Sequence, residues 1–412
     1  MTLQEQQALE DAYVMATFAR KPVEFVRGEG MRLYDDRGAE YLDFLSGIGV
    51  VSLGHCAPPV VAAVQAQAAE LLHVSNYYYI EHRGQVARLL SELLNAGAPG
   101  GAAPWKTFFA NSGAEANECA IKLARLHGRR RAEAAGRPGG EAPRLIVTLE
   151  GSFHGRTLAT LAATAQPAKQ EAFQPLPEGF AATPPNDVAA LEALFAERGA
   201  EVCAVMVECI QGESGVHPCT AEFLQAARRL TAERGALLIC DEVQCGCFRT
   251  GEPFGFQLFG VRPDVVAIAK GVAGGLPMGA CAACGEAAEV LAPGDHGSTF
   301  GGSNLAMAAA QATLSALAAP GFADQVREVG AYLRERLAAL PGVAQVRGHG
   351  LMVGADLAEG APAAPDVVAA ALEAGLVLNA TGPRTLRFLP PLICAKEDVD
   401  CLVERLAPLL VA

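Results

Sequence analysis

Basic residues are scarce. The chain has 32 lysines and arginines against 45 aspartates and glutamates, a formal net charge of −13, and so acidic a protein is a poor partner for nucleic acid or an anionic membrane. Long apolar runs are missing too. The most apolar extended window, from Leu305, is mostly alanine and is interrupted by Gln311, Thr313 and Ser315, which suits a buried helix rather than a membrane span. The first twenty residues carry acidic groups and no continuous apolar stretch, so neither a secretory leader nor a transit peptide is expected, and the cytoplasm is the expected compartment. Cysteine occurs 12 times but without a framework: Cys281 and Cys284, and Cys245 and Cys247, form doublets with no second doublet or histidine at zinc spacing. No metal is expected, and in a reducing compartment the thiols behave as small apolar groups. No G-x-G-x-x-G follows a first strand, and no Walker motif or G-x-S-x-G elbow occurs. Those absences argue against nucleotide-binding and serine-hydrolase chemistry.

The pattern that is present is α/β. Apolar runs of strand length recur as "RLIVTL" (144–149), "VCAVMV" (202–207), "ALLIC" (236–240), "VVAIA" (265–269) and "GACAAC" (279–284). Such unbroken runs suit strands covered on both faces. Between two of them, "AEFLQAARRLTAERG" (221–235) predicts a helix with Thr220 as N-cap and Gly235 as its stop. Strand, helix, strand order implies a mostly parallel sheet with right-handed crossovers. Beyond residue 310 a helical stretch, "DQVREVGAYLRERLAAL", is followed by short strands with intervening turns, which predicts a smaller α+β domain over 311–412.

Ligands of open parallel sheets sit beyond the carboxyl ends of the strands. The residues expected there are Glu208, Asp241, Lys270 and the segment "EGSFHGRT". A lysine ending an apolar strand is unusual, and burial lowers a lysine pKa by up to about 3–5 units, which yields a neutral amine able to attack an aldehyde. A buried carboxylate one strand away then needs a cation, and a protonated pyridine ring supplies one. An anion site is also on offer. Asn111, Ser112 and Gly113 turn a strand into a helix whose first free N–H groups belong to Gly113 and Ala114. Ser112 and Glu115 also read as an S-x-x-E capping box, a device open to any helix.

"FFANSGAEANECAIKLAR", "SFHGRT", "ECIQGESGV", "DEVQCGCFRTG", "AKGVAGGLPMGA", "HGSTFGG" and "LRFLPPLI" follow one another along the chain. In that order they resemble the class III aminotransferases, pyridoxal-phosphate enzymes of fold type I, over nearly the whole length. The resemblance implies a large cofactor domain over 56–310 and a small domain built from both chain ends, 1–55 and 311–412. It implies that Lys270 holds pyridoxal 5'-phosphate covalently and, once freed, shuttles a proton. Asp241 would pair with the ring nitrogen, Val243 and Phe153 would cover the two ring faces, and Gln244 would reach the ring hydroxyl. Glu242 falls in the same motif and is carried over as a cofactor residue. Gly113 and Ala114 would bind the phosphate, and Thr299 would complete that site in the neighbouring subunit of a homodimer, with Ser298 near the substrate. Arg156 would grip the distal carboxylate, and Arg387 the α-carboxylate of glutamate or 2-oxoglutarate, with Glu213 as a gate.

The chain departs from the family pattern at Cys209 and Asn304, where prolines are usual, and at Ala57, where a second histidine often stands. Phe18 falls where relatives acting on free ornithine carry a tyrosine hydroxyl. The donor implied is N2-acetyl-L-ornithine. Succinyldiaminopimelate, ornithine, succinylornithine and 4-aminobutyrate stay open as alternative donors, and an aminomutase as an alternative reaction.

Overall fold

The computed structural model describes residues 2–98, 102–137 and 141–411. Its centre is a seven-stranded sheet of β1 (Lys106–Ala110), β2 (Leu145–Leu149), β3 (Phe180–Thr183), β4 (Val202–Val207), β5 (Leu237–Asp241), β6 (Val265–Ile268) and β7 (Gly279–Ala283), in the spatial order β1-β7-β6-β5-β4-β2-β3. Every residue of β2, β4, β5 and β6 is buried, as their continuous apolar runs require when helices cover both faces. Helix α1 (Gly113–Ala134) follows β1, and α2 (Ala221–Arg234) joins β4 to β5. The predicted limits of α2 hold: Thr220 accepts a hydrogen bond from the Phe223 N–H, and Gly235 ends the helix at φ 62°.

Neighbours from β3 to β6 pair in parallel, but β7 runs antiparallel to both β6 and β1. The sheet is thus mostly parallel, as expected, with β7 antiparallel to both of its neighbours. The connection from β6 to β7 holds only a short 3-10 turn, Lys270–Ala273, too few residues for a crossover helix, so the chain doubles back. The apolar window from Leu305 is a largely buried helix, Asn304–Leu317.

Two smaller sheets flank this core. In one, the strands Phe25–Glu29, Arg32–Asp35 and Glu40–Asp43 are joined by Leu376–Val377, which pairs in parallel with Glu40–Asp43. In the other, Val343–His349, Met352–Leu357, Thr385–Phe388 and Asn379–Ala380 form an antiparallel sheet. Its third strand carries Arg387, opposite Asn379.

Candidate active site

A cavity of about 420 Å³ lies beyond the carboxyl ends of β4, β5 and β6, and its walls include Gly113, Ala114, Phe153, Arg156, Glu213, Asp241, Val243, Gln244 and Lys270. The strand edge thus brings together most of the residues expected there. Lys270 lies two residues past the end of β6, in a left-handed backbone conformation at φ 47°. Among the described residues its amine has no hydrogen-bond partner. Burial pushes that amine below the ordinary lysine range and Arg387 adds to the effect, against the pull of Glu213, Asp241 and Glu208.

Asp241 ends β5, one strand from Lys270. Its Oδ2 accepts hydrogen bonds from Asn117 Nδ2 at 2.7 Å and His154 Nδ1 at 2.8 Å, and its Oδ1 accepts from the Val243 N–H at 3.0 Å. The carboxylate is therefore oriented before any ligand arrives. Asn117 also donates to the His154 carbonyl at 2.8 Å, which ties α1 to the loop after β2. Glu208 organises the same loop from the other side, accepting from the Phe153 N–H at 2.7 Å and the Gly212 N–H at 3.1 Å. Burial pushes its carboxyl up to about 7.

At the start of α1, Ser112 caps the helix by accepting from the Glu115 N–H at 3.2 Å. The reciprocal half of the expected box is absent. Glu115 instead reaches back to Asn111, accepting from its N–H at 2.6 Å and its Nδ2 at 3.1 Å, so the Gly113 and Ala114 N–H groups remain without intrahelical acceptors. Gly113 is required by close approach: a Cβ there would meet Val243 Cγ1 at 2.8 Å.

Arg387 is buried at 1% exposure and stands behind Glu213 and Gln244. Its Nη1 donates to Glu213 Oε1 at 2.7 Å and Gln244 Oε1 at 3.1 Å, while Nε and Nη2 donate to Asn379 Oδ1 at 3.1 and 2.8 Å. Gln244 Nε2 donates to Glu213 as well, at 3.1 Å. Burial alone would raise the Glu213 carboxyl, but Arg387, Lys270 and these hydrogen bonds hold it below the usual range.

Besides Arg387, which stands behind the wall, three expected residues lie outside the cavity. Glu242 faces the opposite side of its chain segment, where its carboxylate accepts from the Gly255 N–H at 2.7 Å, the Phe256 N–H at 2.8 Å and Cys245 Sγ at 3.2 Å. The alternation of side chains at the end of β5 turns this neighbour of Asp241 away from the cavity. Ser298 stands one residue back from the cavity, accepting from Asn111 Nδ2 at 3.1 Å. Thr299 is exposed beside it. Phe18, too, is exposed at 76% and takes no part in the cavity wall. Sequence reading missed Asn117, the role of His154, and Asn379. The one available signal was that Asn117 lies one helical turn beyond Gly113.

Burial raises the Glu242 carboxyl from 4.5 to about 7. A folded-state value above the unfolded one gives stability that is complete below about 4.5 and is lost as the pH rises through 7, by at most about 3 kcal/mol at this group. Glu242→Gln is expected to be less stable than wild type at pH 5, because its amide would oppose a backbone N–H. The gap should narrow as the pH rises to 8; a gap in urea midpoint that is constant or widening contradicts this.

A largely parallel sheet carrying an unpartnered, half-buried lysine, an oriented carboxylate one strand away and a helix N-terminus across the same cavity defines a site for a phosphorylated aldehyde with a basic ring. The chain belongs to the class III aminotransferases: the model of that family, described as aminotransferase class-III, matches residues 14–410. The family's cofactor is pyridoxal 5'-phosphate. An acetylornithine aminotransferase 1 of Bordetella parapertussis is 45% identical over 399 residues, covering 95% of this chain and 96% of the relative. The solved ornithine aminotransferase of Toxoplasma gondii, whose structure reports partial occupancy of PLP at its active site, superposes with a TM-score of 0.90 at 32% identity, over 99% of this chain and 94% of that one. An N-acetylornithine aminotransferase of Stenotrophomonas maltophilia gives 0.80 at 35% identity, over 98% of this chain and 97% of that one.

Proposed function

We propose that this protein transfers the terminal amino group of N2-acetyl-L-ornithine to 2-oxoglutarate, giving N-acetyl-L-glutamate 5-semialdehyde and L-glutamate, as in arginine biosynthesis. The observation that carries the substrate reading is the Arg387–Glu213 pair at 2.7 Å, with Glu213 on the cavity wall and the buried arginine behind it. A donor with one carboxylate leaves the pair closed. A dicarboxylate would reach Arg387 only after Glu213 leaves, exchanging one carboxylate for another in a site where an unpaired charge is costly. The similarity to acetylornithine aminotransferases at 45% identity favours the acylated donor over the other ω-amines.

Pyridoxal 5'-phosphate, when bound, supplies the aldehyde that accepts the amino group and a protonated ring that withdraws electrons from the substrate carbon. The chain's residues do the rest. Lys270 Nζ would hold the cofactor and move the proton at the substrate carbon, Asp241 would keep the ring nitrogen protonated, and the Gly113 and Ala114 N–H groups would take the phosphate. Phe153 and Val243 would confine the ring, and Gln244 would reach its hydroxyl. Arg156 would bind the distal carboxylate in both halves of the reaction.

Thr299 would complete the phosphate site of a second copy, with Ser298 near the substrate, which makes a homodimer the working unit. The exposed Tyr77, Tyr78, Tyr79 and Phe300 near that segment support such an interface. The proposed division has 56–310 binding the cofactor and 1–55 with 311–412 forming the smaller domain, and the proposed compartment is the cytoplasm.

Measuring each half-reaction separately, with a panel of ω-amine donors, tests this. N2-acetyl-L-ornithine should give the highest kcat/KM, and Arg387→Gln should lower the glutamate half by about 100-fold while costing the ω-amine half less than about tenfold. A preference for free ornithine, or equal losses in the two halves, would refute the proposal.

A further inference from the structure

One cation beside the cavity is unaccounted for. Lys169 sits on a short helical turn, Pro167–Gln170, and is half-buried. Its amine turns back toward the protein, donating to Gln166 Oε1 and lying 5.9 Å from the centroid of the Phe153 ring. The Arg156 guanidinium lies 5.5 Å from the centroid of the same ring, and that ring lines the cavity. Among the described residues neither cation is ion-paired with a carboxylate; Glu213, whose charge acts on the Lys169 amine, is engaged with Arg387.

Two positive groups on one aromatic ring repel each other, and a solvated lysine would relieve that by extending into water. Lys169 does not. Burial, with the Arg156 charge added to it, holds its amine below the ordinary lysine range. An anion shared by both cations would remove the repulsion and satisfy donors that are otherwise idle.

We propose that Lys169 is a second cationic contact for the distal carboxylate of the substrate, beside Arg156, so that this subsite selects an anionic terminus over an uncharged one of the same shape in both halves of the reaction. The proposal rests on the reading of Arg156 as the distal-carboxylate residue, and the test separates the two. Glutarate, an unreactive dicarboxylate, is titrated into the holoenzyme by calorimetry, alongside steady-state kinetics with 2-oxoglutarate. Lys169→Met should weaken glutarate binding about tenfold or more, the order expected for one charge-assisted contact, with a matching rise in KM and a kcat changed by less than about threefold. Lys169→Arg, which keeps the charge, should recover most of the loss.

If Lys169→Met binds glutarate like wild type while Arg156→Gln is weakened, the inference fails and the role of Arg156 stands. Equal losses in Lys169→Met and Lys169→Arg would assign the effect to packing and overturn it too. Undiminished binding in both Lys169→Met and Arg156→Gln would overturn the distal subsite itself.

Discussion

Lys270→Ala should lose steady-state turnover by at least about 1,000-fold, the scale of removing both the covalent anchor and the proton carrier from one position. The loss should be nearly pure in function. The Lys270 amine makes no hydrogen bond to the described residues, Glu213 keeps Arg387, and Asp241 keeps Asn117 and His154. No buried charge is stranded, and removing a desolvated cation relieves the burial that depresses its pKa. The melting temperature should stay within about 1 °C of wild type, a change of about 1 kcal/mol for a chain of this size. Turnover above a tenth of wild type would remove the lysine from its role. A large fall in melting temperature would show that its contribution is structural.

Asp241→Asn should cost about 100- to 1,000-fold in kcat, the range seen when one preorganised electrostatic contact is removed from a site of developing charge. This change should also carry a stability penalty, which distinguishes it from the lysine variant. Asn117 Nδ2, His154 Nδ1 and the Val243 N–H all donate to this carboxylate, and an amide replaces one of the acceptor oxygens with a donor. A loss of roughly 1–3 kcal/mol is expected for the donor left opposed. Calorimetric melting alongside single-turnover kinetics separates the two effects. A variant with the expected instability but turnover within tenfold of wild type would leave Asp241 a structural acceptor only.

Much of this was legible in the sequence, for reasons that differ by element. The buried strands announced themselves as apolar runs, and β4 matches its run residue for residue. Helix α2 was bounded by a threonine cap and a glycine whose conformation only glycine adopts readily. The direction of β7 was hidden because burial on both faces produces the same run in either orientation; the short link before it held the answer. Lys270 and Asp241 could be read because strand ends of a parallel sheet share one edge. Glu242 follows Asp241 in sequence, and strand alternation sends its carboxylate to the other side, toward Gly255 and Phe256. Asn117, 124 positions from the carboxylate it orients, acts through tertiary contact alone, as does Asn379 through its register with Arg387. Lys169 was passed over because one lysine in a turn has no pattern.

Asn379 also bears on how the two co-substrates alternate. It occupies Nε and Nη2 of Arg387 and leaves Nη1 to the cavity side, so the guanidinium stays aimed whichever carboxylate it meets. With Glu213 as the gate we propose, switching between the two co-substrates would turn on the half-buried Glu213 side chain parting from Arg387 and Gln244. On that proposal the cost of alternating lies in trading one ion pair for another at a guanidinium that does not itself move.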